Sequence, residues 1–183
     1  MPSSTSSLPI LVLSTSLRAK SHSRILAQRC RKELEILGCE VRWIDLAERE
    51  LPFCDAGECY GHPHAVEVRE AVEWASGIVL ATPIYNYTLC GQAKAAIELA
   101  GKAFTGKVVG FLCAAGGERS YMSILGIANS LMLDFRTWIV PRFVYATYSA
   151  FEEGALVSEE IETRVVELAT SLSEASRTLV PTD

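Results

Sequence analysis

The chain has 183 residues, 49% apolar and 21% charged, with 17 basic against 22 acidic side chains and a formal charge of −5. That is enough chain for one compact domain with a substantial core, 1–183, while the acidic balance and the lack of any basic run argue against nucleic acid as a partner. The start, MPSSTSSLP, carries no basic leader, and the apolar run behind it is too short for a secretory core or a membrane span. The sequence therefore predicts a cytoplasmic protein without a membrane partner, its Ser-rich first eight residues and its last few loose.

In chain order, an apolar run over 10–14 predicts a first strand, and 23–37 a helix stopped by Gly38. A second strand over 40–44 precedes a Cys- and His-containing stretch, CDAGECYGHPH, and a helix over 64–75. A third strand over 77–82 leads to a helix over 91–100, and a fourth over 107–113 to a helix over 121–135. A fifth strand over 138–146 and a closing helix over 158–177 complete the alternation. Strands alternating with helices imply right-handed crossovers and a parallel sheet covered on both faces, a doubly wound α/β sandwich. In such folds ligands bind beyond the carboxyl ends of the strands, where the strand order reverses. Three loops meet that description: 14–22, 83–90 and 114–120.

The first loop carries Ser16, Arg18, Ser21 and Ser23 just ahead of a helix. Hydroxyl donors, a guanidinium fork and unpaired helix amides together suit a phosphate monoester, although Ser21 or Ser23 could equally be an ordinary helix cap. Neither a Walker loop nor a dinucleotide glycine fingerprint is present, so a mononucleotide is expected. The second loop, TPIYNYTLCG, offers Pro83, Ile84, Tyr85, Asn86 and Tyr87, a turn with flat aromatic surfaces for a planar heterocycle. The third places Gly116 and Gly117 directly after a buried-type strand, where missing Cβ atoms allow close backbone approach and unusual φ values.

Six cysteines are scattered through the chain rather than forming a dense disulfide framework. Cys54, Cys59, His62 and His64 lie close in sequence, but neither pair has zinc-finger spacing; a surface loop with no metal is the simpler reading. Cys90 reads as a small packing residue rather than a reactive thiol, and His22 as an exposed loop histidine. Met122, Leu125, Met132 and Trp138 exceed what one sheet-facing stripe requires, which calls for a partner surface or for deeper burial within the monomer.

The segments STSLRAKSHS, ATPIYNYTLCGQAKAAIE and GKVVGFLCAAGG resemble, in order and spacing, three signature segments of the NADPH-dependent FMN reductase family, over roughly residues 10–146. The resemblance implies a flavodoxin-like three-layer sandwich with a five-stranded parallel sheet of order 2-1-3-4-5, bound FMN, NADPH or NADH as co-substrate, and a homodimer. It assigns the FMN phosphate to Ser16, Arg18, Ser21 and Ser23, the flavin and ribityl chain to residues 83–87, and the pyrimidine side of the ring to Gly116 and Gly117. Hydride would pass from NADPH to flavin N5 and electrons on to FMN or a small acceptor such as a quinone, with no side chain needed as acid or base. The chain departs from the family's habits at Thr15, often Gly, at Ser23, often Asn, and at Cys90, where a Pro-Gly is more usual. An electron carrier without nicotinamide activity, or a scaffold that has lost the cofactor, are the competing readings.

Overall fold

Seven strand segments join into one sheet whose main path is parallel. The structure, a computed structural model, describes residues 7–180. Strand β1 (Leu8–Ser14) lies between the edge strand β2 (Cys39–Asp45) and the central β3 (Gly77–Tyr85); β5 (Val108–Ala115) follows beyond β3. Helices α1 (His22–Ile36) and α5 (Glu159–Leu179) cover one face, and α2 (Pro63–Trp74), α3 (Gly91–Ala100) and α4 (Leu125–Phe135) the other.

The strand pleat explains the continuous apolar runs. Leu11, Leu13, Ile78, Leu80 and Phe111 point into the core beneath α2, α3 and α4, while Ile10, Val12, Val79, Ala81 and Leu112 point into the core beneath α1 and α5. Successive residues serve opposite faces, so a strand buried on both sides has no polar alternation to display. Contact with α5 is tight at Gly77, where an added Cβ would lie 2.4 Å from Ser176 Oγ and 2.7 Å from Ile10 Cδ1. Gly77→Ala is therefore expected to cost about 1–3 kcal/mol of overpacking, read as a lowered urea midpoint at unchanged slope.

Three elements differ from the sequence-based expectation. The first strand starts at Leu8, so that residue belongs to the sheet; residues 1–6 and 181–183, expected to be loose, lie outside the described residues. The fifth strand is two segments, β6 (Trp138–Ile139) and β7 (Val144–Thr147), both parallel to β5. From Ile139 to Val144 is five residues, whereas the paired Val109 to Leu112 is three, so two extra residues bulge out. Pro141 lacks the N–H a ladder needs and Arg142 has φ +55°, which breaks the extended run. The third difference concerns β3, which continues through Pro83, Ile84 and Tyr85 and turns back into a short antiparallel strand β4 (Thr88–Leu89).

That continuation is permitted because β1 has already ended. Thr15 N–H donates to Ala81 O, so by alternation Pro83 presents its missing N–H to the side where no strand remains. Residues 118–124 form two short 3₁₀ turns that meet at a kink at Ser120, ahead of α4, and a hairpin of β8 (Phe151–Glu152) and β9 (Ala155–Leu156) precedes α5.

Candidate functional site

The chain reverses direction across the sheet between β1 and β3, and the loops after β1, β3 and β5 converge beyond their carboxyl ends. A cavity of about 560 Å³ lies there, lined by Ser16, Arg18, Ser21, Ser23, Pro83, Ile84, Tyr85, Asn86 and Gly116 from the sequence-derived set. Its volume is ordinary for a small-molecule site. Tyr87 and Gly117 are not among the lining residues: Tyr87 sits exposed at the hairpin tip, and the Gly117 carbonyl is turned to Tyr145. His22, Ala114, Ala115 and Tyr148 complete the wall.

At one end, the hydroxyls of Ser16, Ser21 and Ser23 belong to buried residues, with Ser21 Oγ and Ser23 Oγ 2.9 Å apart. Ser21 is both cap and lining residue: its Oγ accepts from Arg24 N–H while it faces the cavity. The amides of His22 and Ser23, at the start of α1, have no partner within the chain among the described residues. Free amides at the positive end of a helix beside buried hydroxyls form an anion cradle. The Arg18 guanidinium borders it and makes no ion pair among the described residues.

Arg24, absent from the sequence-derived set, holds this loop in shape. Its Nη1 donates to the carbonyls of Arg18 and Ala19, both at 2.8 Å, its Nη2 to that of Ser16 at 3.0 Å, and its Nε to Asp45 at the end of β2. One guanidinium thus ties three loop carbonyls to the neighbouring strand. An arginine in a helical first turn gives no hint of this in sequence, because its loop partners are backbone atoms.

His22 begins α1 rather than lying in a loop, and its ring stacks on Phe151 at 4.0 Å with 7° between planes. Burial, and then the nearby Arg18 charge, hold its pKa below the ordinary histidine value, so the ring next to the cradle is neutral at neutral pH.

Beneath the loops lies a buried polar knot. Thr15 Oγ1 donates to Ala81 O at 2.9 Å and meets Cys90 Sγ at 3.3 Å; Thr82 Oγ1 accepts from Cys90 N–H at 3.3 Å. Thr15 therefore points into the fold and takes no space from the cavity. Cys90 is buried and hydrogen-bonded, a joint between the ends of β1 and β3 and the start of α3.

The hairpin joining β3 to β4 turns through Asn86 and Tyr87, with φ +49° and +65°, the paired left-handed conformation of a type I′ connection. A tyrosine held there is strained, a common cost at binding sites. Tyr85, just before this turn, and Tyr87, within it, are both about half exposed.

The third loop is extended at Gly117, φ −170° and ψ 177°, and neither glycine occupies the left-handed region, so the expectation of unusual φ values is corrected. What the glycines supply is space: an added Cβ would meet nothing within 4 Å at either. Tyr145 fixes the loop, its hydroxyl donating to Gly117 O at 2.6 Å and lying 3.0 Å from Ser120 Oγ, with Tyr121 packed edge-on against its ring. Arg119 is exposed.

Among the described residues, no three His, Cys, Asp or Glu side chains converge as a metal site requires. In the Cys54–His64 stretch, His62 Nδ1 accepts from His64 N–H, and His64 Nδ1 donates to Glu50 O.

The sequence profile of the NADPH-dependent FMN reductase family matches residues 8–152. The chain belongs to that family. It is 29% identical over 133 residues to an NAD(P)H-dependent FAD/FMN reductase of Geobacillus thermodenitrificans, covering 71% of this chain and 72% of that one. It is 33% identical over 121 residues to the NADPH-dependent FMN reductase ArsH of Rhizobium meliloti, covering 63% of this chain and 49% of the relative, so the match spans about half of that protein. The fold is also that of FerB, a flavoenzyme NAD(P)H:(acceptor) oxidoreductase of Paracoccus denitrificans, with TM-score 0.76, 18% identity, and coverage of 93% and 97% of the two chains. This reductase thus works with FMN and takes electrons from NAD(P)H. Its cavity fits FMN: buried hydroxyls and free helix amides at one end suit a phosphate, and a glycine open to space at the other leaves room for a ring.

Proposed function

We propose that this FMN-dependent NAD(P)H oxidoreductase holds the FMN phosphate with Ser16, Arg18, Ser21 and Ser23, and lays the ring between Pro83–Asn86 and the Gly116–Gly117 loop. The observation that supports this assignment is the single cavity lined by the anion cradle, the β3 hairpin and the glycine loop. FMN bound there would take hydride from the nicotinamide at N5 and pass electrons to free flavin or a small acceptor such as a quinone. The chain's own residues bind and orient: the cradle fixes the phosphate, Tyr85 offers an exposed face at the rim, and main-chain N–H groups near Gly116 and Gly117 receive charge that develops on the ring's pyrimidine edge.

The test is anaerobic addition of NADPH to FMN-loaded protein beside free FMN. Bleaching of the visible flavin band at least about a hundredfold faster than in the control is expected, given the usual span of enzymatic acceleration. Binding without bleaching by either nicotinamide would instead favour the electron carrier.

The reading includes a single-domain chain acting as a homodimer in the cytoplasm. Met122, Leu125, Met132 and Trp138, together with Leu133, are all exposed, so burial within the monomer does not account for them. Met132→Asp and Leu133→Asp together are expected to convert the dimer to monomer in sedimentation velocity; an unchanged dimer would place the interface elsewhere.

A further inference from the structure

Between β2 and α2 the chain makes a turn that the flavin site does not use. Asp55 Oδ1 accepts from the N–H groups of Gly57, at 2.8 Å, and Cys59, at 3.2 Å, folding the segment back on itself. The fold brings Cys54 Sγ to 3.6 Å from the hydroxyl of Tyr60, the residue next to Cys59, so the Asp55 turn holds both cysteines in one compact segment. Cys54 is exposed and Cys59 buried. A cavity of about 350 Å³, lined by Cys54 and Tyr60 on one side and by Lys94, Glu98, Ser130 and Leu131 of α3 and α4 on the other, gives a small molecule access to the exposed thiol.

We propose that Cys54 and Cys59 form a peroxide-responsive dithiol, with Cys54 as the attacking sulfur and Cys59 as the resolving one, that closes reversibly into a disulfide.

The two sulfurs are unequal in the way this chemistry requires. The Tyr60 hydroxyl, followed by the Ala56 backbone, holds the Cys54 pKa below the usual thiol value, which favours the nucleophilic thiolate. Burial, followed by the Asp55 carboxylate, holds Cys59 above it, so that sulfur remains a protonated thiol until a partner is presented. The Cys54 thiolate attacks one oxygen of hydrogen peroxide; the O–O bond breaks, giving a sulfenic acid and hydroxide, which takes up a proton as water. Cys59 then attacks the sulfenyl sulfur. The S–S bond forms as the S–O bond breaks, and the oxygen leaves as water with the Cys59 proton. The two cysteines lose two electrons and the peroxide becomes two molecules of water. Reduced flavin meeting dioxygen is a source of that oxidant, but the dithiol does not depend on the flavin assignment. The other four cysteines are buried, and neither Cys30 nor Cys113 is poised as a thiolate, since burial pushes both pKa values up, that of Cys30 to about 12.

The test uses the full chain without flavin, treated with equimolar hydrogen peroxide, then alkylated, digested with trypsin and weighed. Residues 50–69 form one tryptic peptide containing these two cysteines and no others. The expected product is that peptide, unalkylated and lighter by two hydrogen atoms, returned to the dithiol by dithiothreitol. Cys54→Ser is expected to slow thiol loss at least about tenfold. Cys59→Ser should stop at a sulfenic acid on Cys54 that dimedone traps, with Cys59→Ala as the substitute should the serine variant fold poorly. Thiol loss in Cys54→Ser at the wild-type rate, a disulfide to any other cysteine, or oxygen added to Cys54 without closure while Cys59 is present would each overturn the proposal.

Discussion

Arg24→Met is expected to destabilise the protein by about 3 kcal/mol and to weaken FMN binding by at least about thirtyfold. The Arg24 and Asp45 side chains are only 14% and 7% exposed, so removing the cation leaves a carboxylate facing a poorly solvated surrounding, a change that costs about 3–5 kcal/mol in buried pairs. The carbonyls of Ser16, Arg18 and Ala19 lose their shared donor at the same time. At about 2–4 °C per kcal/mol for a chain of this size, the melting temperature should fall by roughly 6–12 °C. Affinity suffers separately, because the cradle must then be ordered by the ligand itself, and every 1.4 kcal/mol so spent is about tenfold in Kd. Pairing the change with Asp45→Leu separates the two effects. The double variant should recover about 1–3 kcal/mol of stability through the coupling of adjacent partners, while FMN affinity stays low because the carbonyls remain untied. Wild-type FMN affinity in Arg24→Met would mean that the loop holds its shape without the guanidinium.

The alternation of strands and helices was legible because parallel strands buried on both faces write themselves as unbroken apolar runs, and several helix ends are marked by a cap such as Ser158 or a glycine such as Gly38. The errors arose where local chemistry overrode the pattern. Pro83 reads as the end of a strand, but β1 stops before it and leaves no ladder for the missing N–H to disrupt, so β3 runs on into a hairpin. Pro141 and Arg142 divide an apolar stretch whose hydropathy is continuous. In the site, the hydroxyls and glycines announced themselves by type and position. Arg24, Tyr145 and Tyr148 did not: Arg24 and Tyr145 act on backbone carbonyls, and Tyr148 reaches the cavity from a turn after β7 with no strong pattern of its own.

Gly116 allows folding and ligand binding to be separated by one substitution. An added Cβ there meets nothing within 4 Å, and its φ lies outside the left-handed region, so a branched side chain is neither crowded by the protein nor strained by the backbone. Gly116→Val is accordingly expected to leave stability within about 0.5 kcal/mol of wild type, as for an ordinary exposed position. The same side chain would project where the flavin ring is proposed to lie. Displacing the ring, or forcing the loop aside, should cost about 1–3 kcal/mol, the range for an overpacked contact, which corresponds to roughly 5- to 150-fold in FMN affinity. Thermal unfolding without flavin and fluorescence titration with FMN read the two quantities independently. Gly77→Ala provides the opposite case: its Cβ would press on Ser176 and Ile10 within the fold, so stability should drop while the intact population binds FMN normally. If Gly116→Val binds FMN as tightly as wild type, the ring does not lie against this loop, and the pyrimidine-edge role of its main-chain N–H groups fails, while the phosphate cradle remains a separate question answered by Arg24.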